Sequence, residues 1–220
     1  MLDIKVKICG LNSSPAVDAA VDAGVNYIGC VFNINSVNYV TPLFARDICF
    51  HIPNHIKKIA VVSNISDKDL DEVMFYFQPD FVQFNGTETP EYISVFKDKF
   101  NSKAIKTFLL YSKKDLSEIS YYEDVTDMFL FEPAPDYLER YYTHKKFFDW
   151  QMLKKIQTSK PWIISGNISK HNLALIIRSS KAKIINVDTS LESVIGTKAP
   201  VLISEFMKNL REFCENETND

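Results

Sequence analysis

The sequence predicts a single-domain α/β protein of the (β/α)8 TIM-barrel class, and two observations carry that expectation. Short β-rich runs alternate with amphipathic helical stretches roughly eight times in 220 residues. No Gly/Ser-rich linker interrupts them, and 46% hydrophobic content is enough for one large core. Periodicity does not show whether the sheet closes, so a doubly wound open sheet fits the same alternation.

The expected first strand is Ile4–Cys9, in which alternation puts Ile4, Val6 and Ile8 on one face and Lys5, Lys7 and Cys9 on the other. Ser14-Pro15 opens a helix that closes at Gly24, the usual start and stop chemistry. Strands are expected next at Tyr27–Phe32 and Lys58–Val62, then a helix opened by Ser66-Asp67 with Leu70, Val73, Met74 and Phe77 on one face. Phe81–Phe84 reads as the fourth strand, and Thr89-Pro90-Glu91 opens the helix after it. Ala104–Leu110 and Met128–Phe131 read as the fifth and sixth strands. The segment from Pro133 to Phe147 is long for a βα loop, and such loops are usually lids or binding loops. Trp162–Ser165 follows as a strand, then a helix capped by Ser169 that carries Leu173, Ile176 and Ile177. Lys183–Val187 is the eighth strand, and a last helix is expected from about Pro200 to Cys214. The barrel would then occupy residues 1–214, with 215–220 a polar tail that frays.

A net charge of −3 and a pI near 5.8 argue against a general nucleic-acid or polybasic membrane binder. No apolar run approaches bilayer-spanning length, and the charged first strand is not a secretory signal, so a cytoplasmic location is expected. Cys9, Cys30, Cys49 and Cys214 lack zinc spacing, and His51, His55, His144 and His171 show no metal pattern. No metal is expected.

Chemistry in such a barrel sits at the carboxyl ends of the strands. Cys9 stands at one, and Lys7 on the same face would favour its thiolate; the plainer alternative is a buried structural Cys. Glu132 ends the sixth strand and could supply an acid opposite the thiol, or could be an ordinary solvent carboxylate. Gly166-Asn167 and Asp188-Thr189-Ser190 offer backbone amides and hydroxyls for a phosphate, or are a plain turn and a short cap. Lys7, Asn38, Gln83 and Arg140 are the substrate-binding candidates. Arg140, Lys145 and Lys146 on the long segment form either an anion clamp or a solvated loop.

Taken in order, these segments resemble the phosphoribosylanthranilate isomerase family of (β/α)8 barrels. Lys7-Ile8-Cys9-Gly10-Leu11 resembles the family's opening K-I-C-G-[LI] motif. The run Ala23 to Phe32 resembles A-G-A-D-x-x-G-F-V-F, and Ser36-Val37-Asn38-Tyr39-Val40 falls on S-P-R-Y-V. Val82 to Glu88 resembles V-Q-L-H-G-D-E, Phe129-Leu130-Phe131-Glu132 falls on F-L-[LF]-D, and Phe148-Asp149-Trp150 matches F-D-W. Ile164 to Ile168 falls on L-A-G-G-L, and Asn186 to Glu192 on D-V-S-S-G-V-E. The resemblance implies a cofactor-free Amadori rearrangement in tryptophan biosynthesis. A cysteine acts as general base at the second carbon of the sugar, here Cys9, and an aspartate as general acid on the ring oxygen, here replaced by Glu132. It also implies a small phosphorylated substrate, phosphate bound after strands seven and eight, and a monomer or homodimer with no nucleic-acid or membrane partner.

The departures fall on the ligand-facing segments. Glu132 is one methylene longer than the family aspartate, and Asn38 stands where an arginine would meet the anthranilate carboxylate. Asn167 and Ser190 replace phosphate-loop glycines, while Asn85 replaces a histidine and Asn186 an aspartate. Two alternatives to the isomerase therefore stay open: a degenerate or repurposed barrel of the same family, inactive on this substrate, and a barrel that binds another phosphorylated small molecule.

Overall fold

The computed structural model describes residues 2–134 and 149–219. Eight parallel strands, β1 (Lys5–Cys9), β2 (Tyr27–Val31), β3 (Lys57–Val62), β4 (Phe81–Phe84), β5 (Lys103–Leu110), β6 (Met128–Pro133), β7 (Trp162–Ile164) and β8 (Ile184–Val187), close into a barrel in sequence order. Closure is carried by β1, which pairs with β2 (Cys9 opposite Gly29) and with β8 (Lys7 opposite Asn186). The open-sheet alternative is excluded.

Helices α1 (Ser14–Asp22), α2 (Pro42–Ile48), α3 (Asp67–Glu72), α4 (Pro90–Phe100), α5 (Ile119–Tyr122), α6 (Leu173–Ser180) and α7 (Pro200–Asn219) surround it. Several starts follow directly from sequence. The Thr41, Ser66 and Thr89 hydroxyls accept from the backbone amides of Phe44, Asp69 and Tyr92, which satisfies donors a helix start leaves open. α3 continues as a π-helical turn over Val73–Phe77, with Leu70, Val73 and Phe77 buried on the expected face.

Three elements differ from the sequence expectation. α6 begins at Leu173 rather than just after Ser169, because the Asn172 side chain accepts from the Ser169 amide at 2.8 Å and closes a turn ahead of the helix. α7 does not stop at Cys214 but runs to Asn219. Arg178 holds its last turns, bonding Glu217 and lying 5.7 Å from the Phe213 ring centroid. After β8 the chain also makes a small antiparallel hairpin, β9 (Glu192–Val194) with β10 (Thr197–Lys198), where no element was expected.

Alternation along the strands divides the buried side chains into two sets. Outward residues such as Val6, Ile8, Val82, Phe129 and Ile185 pack beneath the helices, while Cys9, Tyr27, Ile59, Phe81, Ile105, Leu130 and Ile163 fill the barrel. One charged pair interrupts the outer layer. Lys106 and Glu88 are 4% and 6% exposed, and the Lys106 amine lies 3.3 Å from the Glu88 carboxylate and 2.7 Å from the Gly86 carbonyl. Burial pulls the Lys106 amine below its ordinary pKa, against the pull of Glu88. Glu88 also accepts from the Asn64 amide at 2.6 Å, so this one carboxylate ties the ends of β3, β4 and β5.

Removing one partner of a buried pair strands the other without solvent. Glu88→Ala is expected to lower unfolding free energy in urea titration by about 3–5 kcal/mol. A Glu88→Leu/Lys106→Met double variant is expected to recover most of that loss.

Candidate active site

The carboxyl end of the barrel carries a continuous polar arc across β1, β8, β7 and β6. Lys7, fully buried on the inner face of β1, donates from Nζ to Asn186 Oδ1 at 2.8 Å. Asn186 Nδ2 donates to Ser165 Oγ at 3.0 Å, and Ser165 stands level with Glu132, one step beyond the Phe131–Ile164 pairing of β6 and β7. At the other end, the Lys7 side chain lies beside the Cys9 thiol, both bordering the space above Gly29, and its charge lowers the thiol's pKa. A polar arc thus runs from Cys9 to Glu132 around four adjacent strands, hydrogen-bonded from Lys7 through Asn186 to Ser165.

Each terminal group carries a shifted proton affinity with a definite cause. Burial raises the Cys9 thiol; the Lys7 charge lowers it and the Asp188 charge raises it again. Glu132 is pushed up from its ordinary 4.5 to about 7, first by burial and then by Asp188, against Lys7 and the Ser165 bond. At neutral pH a carboxyl so placed can hold a proton and give it up.

Asp188 leaves β8 beside Cys9, one step beyond the Ile8–Val187 pairing. Its carboxylate lies 2.7 Å from the amine of Lys198, which is itself 2.6 Å from Glu192. Those two carboxylates raise the Lys198 amine against the opposing effect of burial, and Lys198 is 1% exposed. The hairpin delivers Glu192 and Lys198 to this end. Asn12 donates to the Gly196 carbonyl at 2.8 Å and the Gly196 amide donates to Glu192 at 2.9 Å, fixing the hairpin against β1. Sequence reasoning missed Lys198. The signal present was a two-residue Ile195-Gly196 turn between short extended runs.

The remaining candidates divide. Asn38 is buried beside Gly10 and Lys198, with its amide nitrogen 3.4 Å from Glu192 and its carbonyl oxygen unpartnered. Gln83 belongs to a separate polar group on β4 and β5, donating to Asn85 at 2.7 Å and Thr107 at 3.3 Å, on the side of the ring away from β8 and β1. The loops after β7 and β8 do lie side by side: the Thr189 hydroxyl donates to Asn167 Oδ1 at 3.0 Å and the Ser190 hydroxyl to the Ile168 carbonyl at 2.6 Å. Asn167, where the family pattern has glycine, takes φ 50°, a left-handed conformation that glycine favours and asparagine tolerates. Gly166 is required by contact as well as by its φ of +114°, since a Cβ there would meet Pro133 Cδ at 2.4 Å. Asp188 was expected to serve the phosphate, but its carboxylate is committed to Lys198. Arg140, Lys145 and Lys146 lie outside the described residues. Among the described residues no group of three His, Cys, Asp or Glu could hold a metal, and no helix is long and apolar enough to cross a membrane.

Two predictions follow from this geometry. A Cβ at Gly29 would stand 3.1 Å from Lys7 Cε and 3.2 Å from Cys9 Sγ, so Gly29→Ala must displace the thiol or the amine. It is expected to fold with a loss of about 1–3 kcal/mol and a changed rate of Cys9 alkylation by iodoacetamide. Glu132 binds its proton more tightly folded than unfolded, so the stability it contributes is full below pH 4.5 and is lost as pH rises through about 7. The loss should be roughly 3 kcal/mol or less, and Glu132→Gln should abolish that part of the pH dependence of urea unfolding.

Comparison with known proteins agrees with this architecture. Residues 6–209 match the sequence model of N-(5'phosphoribosyl)anthranilate (PRA) isomerase. The N-(5'-phosphoribosyl)anthranilate isomerase of Rhizobium leguminosarum bv. trifolii is 31% identical over 208 residues, 94% of each chain. That of Rhodospirillum rubrum is 31% identical over 217 residues, 96% of this chain and 100% of its own. The crystal structure of phosphoribosyl anthranilate isomerase from Thermotoga maritima superposes with a TM-score of 0.82 at 23% identity, covering 95% of this chain and 99% of that one, a likeness of fold. With its barrel closed in the expected order and a family match over nearly its whole length, the chain belongs to the N-(5'-phosphoribosyl)anthranilate isomerase family.

Proposed function

We propose that this protein converts N-(5-phosphoribosyl)anthranilate to 1-(2-carboxyphenylamino)-1-deoxyribulose 5-phosphate, with Cys9 as general base and Glu132 as general acid. The observation that carries the reading is the polar arc that sets these two side chains at one barrel mouth, its centre hydrogen-bonded through Lys7, Asn186 and Ser165.

The chemistry balances on these groups alone. Glu132, at about 7, hands its proton to the furanose ring oxygen as the bond from that oxygen to the first sugar carbon breaks, and the anthranilate nitrogen supplies electrons to form an iminium. The Cys9 thiolate then takes the proton from the second carbon, and the released pair forms the enolamine that tautomerises to the ketone. Lys7 is the charge that favours that thiolate against the burial of Cys9. Phosphate binding falls to the loops around Gly166, Asn167, Thr189 and Ser190, whose side-chain bonds pin them together. Asn38 brings no cation to the aromatic carboxylate, and Lys198 beside it already answers two carboxylates. That charge falls to Arg140, Lys145 or Lys146. The working unit is a monomer or a homodimer, and sedimentation distinguishes them.

Fluorescence-monitored turnover of phosphoribosylanthranilate tests the assignment. Wild type is expected to turn over, and Cys9→Ser and Glu132→Ala each to lose about 100-fold or more. Equal background from all three proteins would rule out the isomerase.

A further inference from the structure

On the outer side of β2, in the layer beneath the helices, two thiols meet. Cys30 Sγ on β2 and Cys49 Sγ at the end of α2 are 3.8 Å apart. Cys30 is fully buried and Cys49 is 4% exposed. Cys30 also donates to the Leu11 carbonyl at 3.5 Å, two residues past Cys9. The family pattern has phenylalanine where this chain has Cys30, so the pair belongs to this sequence and not to the resemblance. Cys49 also helps to wall a cavity of about 330 Å3 at the amino end of the barrel, between the loop after α2 and the starts of β3 and β4. Ile52, Pro53, Lys58, Gln78 and Asp80 complete much of that wall.

We propose that Cys30 and Cys49 are a redox-responsive modification site: a low-molecular-weight disulfide entering the cavity reacts at Cys49, and Cys30 then closes an internal disulfide that ties α2 to β2. In the first step Cys49 gives up its proton, its sulfur bonds one sulfur of the reagent, and the other half of the reagent leaves as a thiolate. In the second, Cys30 gives up its proton and attacks the Cys49 sulfur, and the remaining half leaves. The two protein thiols are oxidised, the reagent is reduced to two small thiols, and the two protons end on those thiols. Cys49 goes first because it borders the cavity, while Cys30 lies behind it without solvent. The Cys49 contact and burial raise the Cys30 thiol well above its ordinary range, so the second step is slow, but its target sulfur is already adjacent. Closure brings the sulfurs from 3.8 Å to about 2.05 Å. Cys49 caps a seven-residue helix, and a helix end yields more readily than a helix middle. The product would reach toward the candidate site by two routes. The Leu11 carbonyl loses its Cys30 donor, and the tie is made one residue from Gly29, which borders Lys7 and Cys9.

The test is a peptide map of the folded full chain after incubation with 2-hydroxyethyl disulfide, quenched in acid. Cleavage before Asp22 and Asp47 puts Cys9, Cys30 and Cys49 in three different peptides. The Cys30 and Cys49 peptides are expected to appear joined, lighter by two hydrogens than their sum, over minutes to hours, and to separate on reduction with dithiothreitol. Cys30→Ser should instead accumulate the hydroxyethylthio adduct on Cys49, and Cys49→Ser should leave Cys30 unmodified. Cys214, only half-buried, reports in the same samples that the reagent is active. Unlinked Cys30 and Cys49 beside a modified Cys214 would overturn the proposal and leave the pair as packing alone, as would a link from either thiol to Cys9. An adduct on Cys30 in Cys49→Ser would overturn entry through the cavity. The wild-type map decides the matter even where a serine variant does not fold.

Discussion

The buried amine of Lys7 organises this site. An ammonium withdrawn from water is tolerated only where its donors find partners, and the unpaired penalty runs to several kcal/mol. Here the partner is Asn186 on a neighbouring strand, with the Cys9 thiol beside the amine on its own strand. Meeting that requirement fixes other choices. Asn186 must keep its oxygen toward Lys7, which points its nitrogen at Ser165 at the end of β7. Gly29 must have no side chain, because Lys7 and Cys9 occupy the space where one would be.

Strand alternation lets one barrel carry both a core and a reaction site. In β1 the outward residues Val6 and Ile8 join the layer beneath the helices, while Lys7 and Cys9 turn inward. Inward side chains lower in the barrel, such as Ile59, Phe81 and Ile105, form an apolar floor. Above that floor the polar groups sit in poorly solvated surroundings, which is why Cys9 and Glu132 hold their protons more tightly than in water. The site's electrostatics are thus a product of the packing below it.

Much of the fold was legible in the sequence because strand alternation and helix-start chemistry are local. All eight strands and the starts at Thr89-Pro90 and Ser66 fall where pattern and cap residues put them. Cys9 and Glu132 could be proposed as candidates because each ends a strand. What could not be read was set by partners far away in the chain. The extension of α7 depends on Arg178 meeting Glu217, and the position of Lys198 on a hairpin held by Asn12. The roles of Asn186 and Asp188 were opaque for the same reason: sequence shows an amide and a carboxylate two residues apart, not that one bridges Lys7 to Ser165 while the other pairs with Lys198. Asn167 shows the converse, since a residue that broke the expected glycine pattern still takes a left-handed conformation of the kind glycine favours.

The bond between Lys7 and Asn186 spans 179 positions of sequence. Because a ribosome builds from the amino end, the thiol strand emerges early and must wait, its lysine still hydrated, while seven more staves are made. Chemistry cannot switch on by degrees during that interval. Only when the eighth stave docks beside the first do thiol, amine and carboxyl acquire a common surrounding, so assembly of the candidate site and completion of the ring are one event.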